Sequence, residues 1–272
     1  MTNKNKKNMF KDCPICSNNK FKKIFNDNWD KSSFVKCKKC GLIFKNPQEN
    51  ILDTINRYNI DYFNYELENQ YNFFNLVKKN LEDFNIINIL PKKANILEVG
   101  SATGLFLKYM NSLSFNTIGI ELCKESVNYG KKEYGVNLIN GRIEDFDFKK
   151  ESFDFIHCSH LIEHLNNPVG FLLNIVFLLK KKGYALLTTP NSSGLFAKYY
   201  NESWRCIVDD HLFIFNINNL KLLFKNVNLK IIKYKTWGSI PKGKINIIIK
   251  NVFDFFVKKV NLGDVVCFLV QK

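Results

Sequence analysis

Apolar and polar positions follow two different periods through the middle of this chain. Four short apolar runs have the length and composition of buried β-strands: residues 94–99, 117–120, 153–158 and 184–188. Helical patterns lie between them at residues 105–110, 124–134 and 169–180, and Pro168 opens the last of these. Alternating β and α elements of these lengths form a parallel sheet that helices cover on both faces. We therefore predict an α/β fold with a Rossmann-like, doubly wound, mostly parallel sheet.

The flanking segments extend this pattern in both directions. Before the sheet, apolar and aromatic residues at helical spacing predict linking helices over residues 47–90, and Pro91 ends them. The residues that set this spacing are Ile51, Ile55, Tyr58, Phe73, Phe74, Val77, Leu81 and Phe84. After the sheet we predict a helix at 217–224, a strand at 229–234 and a terminal strand at 264–270 that closes the sheet edge. The chain is thus expected to comprise an N-terminal module at 1–46, linking helices at 47–90 and a main domain at 91–272.

Four of the eight cysteines form two C-x-x-C pairs near the start of the chain. Cys13 and Cys16 form the first pair, Cys37 and Cys40 the second, and 20 residues separate the pairs. This spacing is typical of a zinc ion held by four thiolates, a closed site that gives the metal a structural role. We therefore predict structural zinc in a small zinc-ribbon-like module. Two disulfides, which a reducing compartment disfavours, and redox chemistry at one pair are the alternatives. The remaining cysteines are scattered and expected to be buried: Cys123, Cys158, Cys206 and Cys267.

The charge of the chain favours an anionic partner only weakly. The formal net charge is +15, and the surplus of lysine lies in the first 45 and the last 52 residues, so that the middle is nearly neutral. Only Arg57, Arg142 and Arg205 are arginine, although arginine suits phosphate and base-edge recognition better than lysine. A nucleic-acid partner is therefore the less favoured alternative to a small-molecule partner.

No segment predicts a membrane span or a secretory signal. The longest apolar stretch, residues 169–179, is shorter than the roughly 18–20 residues that cross a bilayer. The first 11 residues are rich in lysine and asparagine, with no apolar run behind them. A cytoplasmic protein is expected.

The loop after the first strand of the sheet has the sequence E-V-G-S-A-T-G over residues 98–104. In such sheets ligands bind outside the carboxyl ends of the strands. Gly100 allows a sharp turn, Ala102 is small enough for a ligand to approach the backbone, and Gly104 lets the next helix start close to the sheet. A pyrophosphate would be repelled by Glu98, whereas a ligand with a cationic amine would be attracted.

These residues resemble the first motif of the class I S-adenosylmethionine-dependent methyltransferases, acid-x-Gly-x-Gly-x-Gly, with Ala102 at the middle glycine. The resemblance implies S-adenosyl-L-methionine as cofactor, with Glu98 orienting its methionine amine and Glu121 accepting both ribose hydroxyls. Residues 141–145 resemble the family's adenine-binding turn, although Arg142 stands where the family often has aspartate. The cofactor-binding residues implied by the resemblance are Glu98, Gly100, Ser101, Ala102, Gly104, Glu121, Leu122, Ile143, Glu144 and Ser159.

Three histidines are candidates for the base that a hydroxyl acceptor would need. Neutral imidazole accepts a proton near pH 7, and His160, His164 and His211 follow predicted strands or lie in a predicted loop. The structural alternative is that His164 packs its turn and His211 anchors its loop. Residues 160–164 also spell H-x-x-E-H, a metalloprotease pattern, but that pattern needs a long helix, which Pro168 prevents here. His157, inside a strand, is expected to be buried and hydrogen-bonded.

The sequence as a whole predicts a methyltransferase that acts on a small molecule or a sugar. Its N-terminal module would hold zinc, and a C-terminal lid would carry Trp204, Arg205, His211 and Trp237. Chains that join these two modules resemble enzymes that modify sugars, often for surface glycans. One alternative is an RNA methyltransferase whose basic zinc module grips the RNA backbone. A second is a catalytically inactive, zinc-dependent interaction protein, which would not need to retain Glu98, Gly100, Gly104 and Glu121.

Overall fold

The computed structural model describes residues 9–26, 33–48, 56–238 and 246–272. The strands are β1 (Phe21–Asn26), β2 (Ser33–Cys37), β3 (Ile43–Lys45), β4 (Asn95–Val99), β5 (Asn116–Glu121), β6 (Leu138–Asn140), β7 (Phe153–Ser159), β8 (Leu179–Pro190), β9 (Phe213–Ile214), β10 (Lys230–Trp237) and β11 (Val265–Gln271). The α-helices are α1 (Ile60–Asp83), α2 (Ile86–Ile89), α3 (Leu105–Ser112), α4 (Lys124–Tyr129), α5 (Pro168–Leu178), α6 (Leu195–Tyr200), α7 (Ile217–Asn226) and α8 (Ile247–Lys259). Short 3-10 turns lie at Ile143–Asp145, Ile162–His164 and Asn201–Ser203.

A seven-stranded sheet in the order β10-β11-β8-β7-β4-β5-β6 forms the centre of the described chain. The pairs from β8 to β6 are parallel, and β11 runs antiparallel to both of its neighbours. Successive side chains of a strand point to opposite faces, and Ile96 and Leu97 accordingly belong to two different apolar clusters. One cluster includes α5 and α7, the other α1 and α3. The predicted α/β fold, a doubly wound and mostly parallel sheet, is confirmed.

The terminal strand does not close the sheet edge as predicted. β11 lies between β10 and β8, and β10 is the edge strand. Six consecutive residues of β11 are buried, as expected of a strand covered on both faces. The more exposed β10 includes Lys230, Lys233 and Lys235, which suit an edge because charged side chains discourage pairing with another chain.

Two predicted helices also end earlier than expected. The helix after Pro168 ends at Leu178, because Leu179 already pairs with Phe153 and begins β8. The helix predicted at 124–134 is α-helical only to Tyr129 and continues as a π-helical turn at Gly130–Tyr134. At the first of these boundaries Leu178 and Leu179 are both apolar, so periodicity alone does not reveal where the helix ends.

The predicted linking helices are largely one 24-residue helix, α1. The Asn59 side chain caps its start by accepting hydrogen bonds from the backbone N–H groups of Asp61 at 2.9 Å and Tyr62 at 3.3 Å. Asp83 at its end accepts from Lys235 Nζ at 2.8 Å and from Lys258 Nζ. These ion pairs connect the end of α1 to β10 and α8. The predicted positions Ile51 and Ile55 lie outside the described residues.

A second, four-stranded sheet has the order β1-β2-β3-β9. Its first three strands come from the cysteine-bearing module, whereas β9 lies between β8 and β10 of the main sheet in the chain. The ring of Phe44 lies 6.1 Å from that of Phe213 and 5.7 Å from that of Phe10. Phe44 and Leu42 are also part of the cluster formed by α5 and α7. The module therefore shares both a sheet and a core with the rest of the described chain.

Candidate functional site

The loop of residues 100–104 lies at the carboxyl end of β4, beside the end of β5. The backbone N–H groups of Gly100 and Ser101 both donate to the carbonyl of Ile120, at 2.9 and 3.1 Å. Gly100 and Gly104 have φ angles of +75° and +80°. A Cβ at Gly104 would lie 2.8 Å from a methyl of Val136, so the helix can start this close to the sheet only with glycine.

Glu121 is a buried carboxylate held by backbone N–H groups on both oxygens. Oε2 accepts from Ala102 at 2.9 Å and Oε1 from Cys123 at 2.8 Å. Burial raises the pKa of Glu121, and these hydrogen bonds act against that rise. Each oxygen keeps a further lone pair, so the carboxylate can still accept from two adjacent hydroxyls.

Glu98 forms a buried pair with His157 across neighbouring strands. Its Oε1 lies 3.0 Å from His157 Nδ1, and the imidazole packs 4.5 Å from the ring of Phe106. Burial raises the pKa of Glu98, while His157 lowers it. Glu98 Oε2 is buried without a hydrogen-bond partner among the described residues. An unpaired carboxylate oxygen at this end of the sheet fits a cationic group. His157 is buried and hydrogen-bonded, as the sequence suggested.

The remaining predicted cofactor residues lie around the ends of β5, β6 and β7. The Ser101 hydroxyl donates to the carbonyls of Glu98 and Ile120, which leaves mainly its backbone for a ligand. The carbonyl of Leu122 accepts from Asn140 Nδ2 at 2.7 Å. Ser159 is half-buried at the end of β7.

The turn at residues 141–145 lies beside Glu121. The N–H of Gly141 donates to the Glu121 carbonyl at 3.0 Å. Arg142 is bound to Asp145 at 2.7 Å, so its side chain holds the turn together. Ile143 is buried and Glu144 is exposed. The structure thus brings this turn to the carboxylate predicted to bind ribose.

Helix α1 carries a row of site residues that the sequence analysis missed. Tyr62, Glu66 and Gln70 are spaced by four and share one face of the helix. Burial and, next, the charge of Glu121 raise the pKa of Tyr62. Gln70 Oε1 accepts from Thr103 Oγ1 at 3.0 Å and from the Tyr134 hydroxyl at 2.7 Å. The signal for these residues in the sequence was the recurrence of polar side chains at every fourth position of the predicted helix.

Glu66 gives this helix a pH-dependent effect on stability. Burial and then Glu121 raise the pKa of Glu66 to about 7, against the effect of His160. Between the ordinary pKa of a glutamate and about pH 7, the Glu66 carboxyl is ionised in the unfolded chain but protonated in the folded chain. The free energy of unfolding therefore falls as pH rises through this window.

We expect Glu66→Gln to raise the free energy of unfolding by about 1–2 kcal/mol at about pH 8 and to have little effect at about pH 5. Urea unfolding at both pH values measures this. Glu68→Gln, at an exposed position of α1, is the control, and equal shifts in the two variants would contradict the prediction.

The three candidate histidines surround Glu163. His160 Nδ1 lies 3.2 Å from Glu163 Oε1, a contact without the geometry of a hydrogen bond. His164 Nδ1 bonds to the Asp210 carbonyl at 2.9 Å, and His211 Nδ1 to the Cys206 carbonyl at 2.8 Å. Burial favours a raised pKa for Glu163, but His160 and then the other two histidines outweigh it and lower that pKa to about 2.

The four predicted zinc ligands converge in one cluster. Cys13 Sγ lies 3.6 Å from Cys40 Sγ, and Cys16 Sγ lies 3.5 Å from Cys37 Sγ. A tetrahedron with Zn–S bonds of about 2.3 Å has edges of about 3.8 Å, close to these distances. All eight cysteines are free of disulfides, and Asn18 Nδ2 donates to Cys37 Sγ at 3.5 Å. The donor set therefore fits a tetrahedral zinc ion. Of the other cysteines, Cys206 is only partly buried.

The residues predicted to form a lid lie in different surroundings. Trp204 is buried, and its Nε1 donates to Asp264 Oδ2 at 3.1 Å. Trp237 ends β10 and packs against the core. Arg205 is exposed, and His211 lies with the histidine cluster. The N–H of the buried Trp204 indole thus satisfies a buried carboxylate.

Among the described residues, none of the helices has the length and hydrophobicity needed to cross a bilayer.

Comparisons with known proteins identify the family. A family model described as a methyltransferase domain matches residues 65–234. The ubiquinone biosynthesis O-methyltransferase of Rickettsia prowazekii is 29% identical over 152 residues, which are 54% of this chain and 53% of the relative. That of Rickettsia bellii is 27% identical over 140 residues, 47% of this chain and 56% of the relative. The chain spans about half the length of the curated relatives it matches.

Solved structures of methyltransferases share the fold. An S-adenosylmethionine-dependent methyltransferase from Archaeoglobus fulgidus has a TM-score of 0.57 at 16% identity, covering 78% of this chain and 99% of that protein. One from Mesorhizobium loti has a TM-score of 0.50 at 10% identity, covering 70% and 97%. Because the family model covers more than half of the sequence, the chain belongs to the methyltransferase domain family.

Proposed function

We propose that this chain transfers a methyl group from S-adenosylmethionine to a hydroxyl of a small molecule or sugar. The observation that carries the proposal is the buried carboxylate of Glu121, held by the backbone of Ala102 and Cys123 beside the loop of residues 100–104. The family membership supports methyl transfer, and the names of the Rickettsia relatives favour an oxygen acceptor and a small molecule.

Each part of the site has a separate role in binding the cofactor. The free lone pairs of Glu121 accept the two ribose hydroxyls. The unpartnered Oε2 of Glu98 attracts the methionine amine. Ile143 and Glu144, on the turn beside Glu121, contact the adenine. Gly100 and Ala102 let the ligand approach the backbone.

Methyl transfer is an in-line displacement at carbon. The acceptor oxygen attacks the methyl carbon, the O–C bond forms as the S–C bond breaks, and the bonding pair stays on sulfur to give S-adenosylhomocysteine. The hydroxyl proton passes to the imidazole of His160, whose side chain is 48% exposed and lies beside Glu163. His164 and His211 are less accessible to an acceptor.

Calorimetry with S-adenosylhomocysteine tests the cofactor assignment directly. We expect one binding site per chain in the purified, metal-intact protein, because the carboxylates at both ends of the pocket suit this ligand. Turnover with S-adenosylmethionine against nucleotide-linked sugars and phenolic small molecules then identifies the acceptor by mass spectrometry. Absence of binding to both cofactor forms would refute the proposed function.

We further propose that the four-cysteine cluster holds structural zinc. A set of four sulfurs leaves the ion no open position, so its contribution is to folding. The flanking Lys36, Lys38 and Lys39 offset the negative charge of a zinc ion bound by four thiolates.

RNA methylation is the second candidate function, and one observation favours it. Four lysines of the module line a concave surface together with Asn216: Lys22, Lys36, Lys38 and Lys39. Such a surface attracts phosphates. An RNA enzyme would bind RNA tightly with an affinity that falls steeply as salt rises, whereas a small-molecule enzyme would show only weak attraction.

A further inference from the structure

Glu163, His164 and His211 bring three metal-ligating atoms together at the end of β7. One ligand atom from each lies within 4.8 Å of the others. Glu163 and His164 belong to the short turn Ile162–His164, and His211 comes from the loop before β9. The N–H of Leu212 donates to the Glu163 carbonyl at 2.9 Å, so the backbone holds the turn and the loop together.

Both histidines are held in the tautomer that a metal ligand needs. A backbone carbonyl can only accept, so His164 Nδ1 donates to Asp210 and His211 Nδ1 donates to Cys206. In the neutral rings the lone pair is then on Nε2. Metal-binding histidines usually donate their other ring N–H to a carbonyl or carboxylate, which fixes the ring and its tautomer. The two rings lie in contact, with centroids 4.7 Å apart.

Glu163 supplies a buried carboxylate to this cluster. Its side chain is 0% exposed, and Oε2 accepts from Thr189 Oγ1 at 2.9 Å. Oε1 lies 3.2 Å from His160 Nδ1 but has no partner with hydrogen-bond geometry among the described residues. A buried carboxylate oxygen without a partner is costly unless a cation satisfies it. A cation held by His164 and His211 would supply the partner that this oxygen lacks.

We propose that Glu163, His164 and His211 bind a divalent first-row transition-metal ion whose open coordination positions hold the hydroxyl of the methyl acceptor. Two imidazoles and one carboxylate suit such ions and leave positions free for oxygen ligands. A metal-bound hydroxyl loses its proton more readily, which makes the oxygen a better nucleophile toward the methyl carbon. This inference rests on the proposed function and deepens it by assigning the group that binds the acceptor hydroxyl.

The proposal gives the histidines different roles. His164 and His211 are ligands, and the more exposed His160 remains to receive the hydroxyl proton. The second site differs chemically from the cysteine cluster, because it has nitrogen and oxygen ligands and an open position.

Titration of Co²⁺ into the purified full chain, with zinc already bound at the cysteines, tests the proposal. We expect one Co²⁺ per chain, with a visible d–d absorption that lacks the thiolate-to-metal charge-transfer band. His211→Ala and Glu163→Gln should weaken Co²⁺ binding by more than about tenfold, since even loss of an outer partner of a metal ligand costs roughly 10–100-fold. His160→Ala is the matched control and should retain Co²⁺ binding.

Several results would overturn the proposal. These are absence of saturable Co²⁺ binding in the wild-type chain, a spectrum with only the thiolate band, or full binding by a folded His211→Ala variant. The wild-type titration decides the matter even where a variant fails to fold, which circular dichroism would reveal. Binding of S-adenosylhomocysteine is measured in parallel. If the protein binds S-adenosylhomocysteine but has no Co²⁺ site, only the proposed metal site is refuted. If it does not bind S-adenosylhomocysteine, the proposed function itself is refuted.

Discussion

Replacement of Cys37 by serine is expected to remove zinc and to disable the enzyme as a whole, although no cysteine of the cluster belongs to the proposed cofactor pocket. Loss of one thiolate opens the closed site, and structural zinc can contribute roughly 10–16 kcal/mol to the folding of small zinc domains. We expect a stability loss of about 3–5 kcal/mol and a fall in Tm of roughly 10–15 °C. Metal analysis, thermal unfolding and turnover measure these effects.

Loss of zinc is also expected to disturb the positions of Glu163, His164 and His211, because β3 connects the cysteine module to the loop that carries His211. Lys45, the last residue of β3, is buried; its N–H donates to the Leu212 carbonyl at 3.0 Å, and its Nζ donates to Asp209 Oδ1 at 2.9 Å. These bonds hold the loop that carries His211. Cys206→Ser, at a half-buried cysteine outside the cluster, is the matched control and should retain zinc and activity. Normal turnover in a zinc-free Cys37→Ser protein would contradict this coupling.

Glu121→Ala is expected to weaken binding of S-adenosylhomocysteine by on the order of 1–3 kcal/mol, roughly 5–150-fold in Kd. The variant loses the acceptor for the ribose hydroxyls and also leaves the N–H groups of Ala102 and Cys123 without their partner. Loss of the ribose acceptor and loss of the backbone hydrogen bonds both affect the site around Ala102. The cofactor would therefore bind to a less ordered site. Calorimetry measures the change.

Two further variants separate the two effects of Glu121. Glu121→Gln keeps one acceptor oxygen and should lose less affinity than Glu121→Ala. Glu151→Ala removes a carboxylate just before β7, at the opposite end of the sheet, where Glu151 pairs with Lys272 at 3.1 Å. The Glu151→Ala variant should bind S-adenosylhomocysteine with the same affinity as the wild type. Unchanged affinity in Glu121→Ala would refute the ribose role.

The sequence was sufficient for the elements that carry their own periodic signal. The strands β4, β5 and β7 are short and contain largely apolar runs, and helical patterns lie between these runs, so a doubly wound sheet could be derived. The four cysteines were identified for a similar reason, because their spacing within 28 residues is itself the signal.

Features that depend on residues distant in the chain could not be derived in this way. The two-residue strand β9 is too short to show a period, so its pairing with β3 was missed. The meeting of His164 with His211 depends on the loop before that strand. Tyr62, Glu66 and Gln70 did carry a signal, but their spacing looks like that of an ordinary solvated helix face until the position of α1 is known.

The pairing of Ile43 with Ile214 also has a consequence for synthesis of the protein on the ribosome. After β3 has emerged, about 170 more residues must be translated before its neighbour β9 exists, which takes on the order of 10–30 s at typical elongation rates. During that interval the edge of β3 is unpaired, and unpaired strand edges promote aggregation. The nascent chain would therefore benefit from a chaperone at this stage, or from metal already bound to its first three strands.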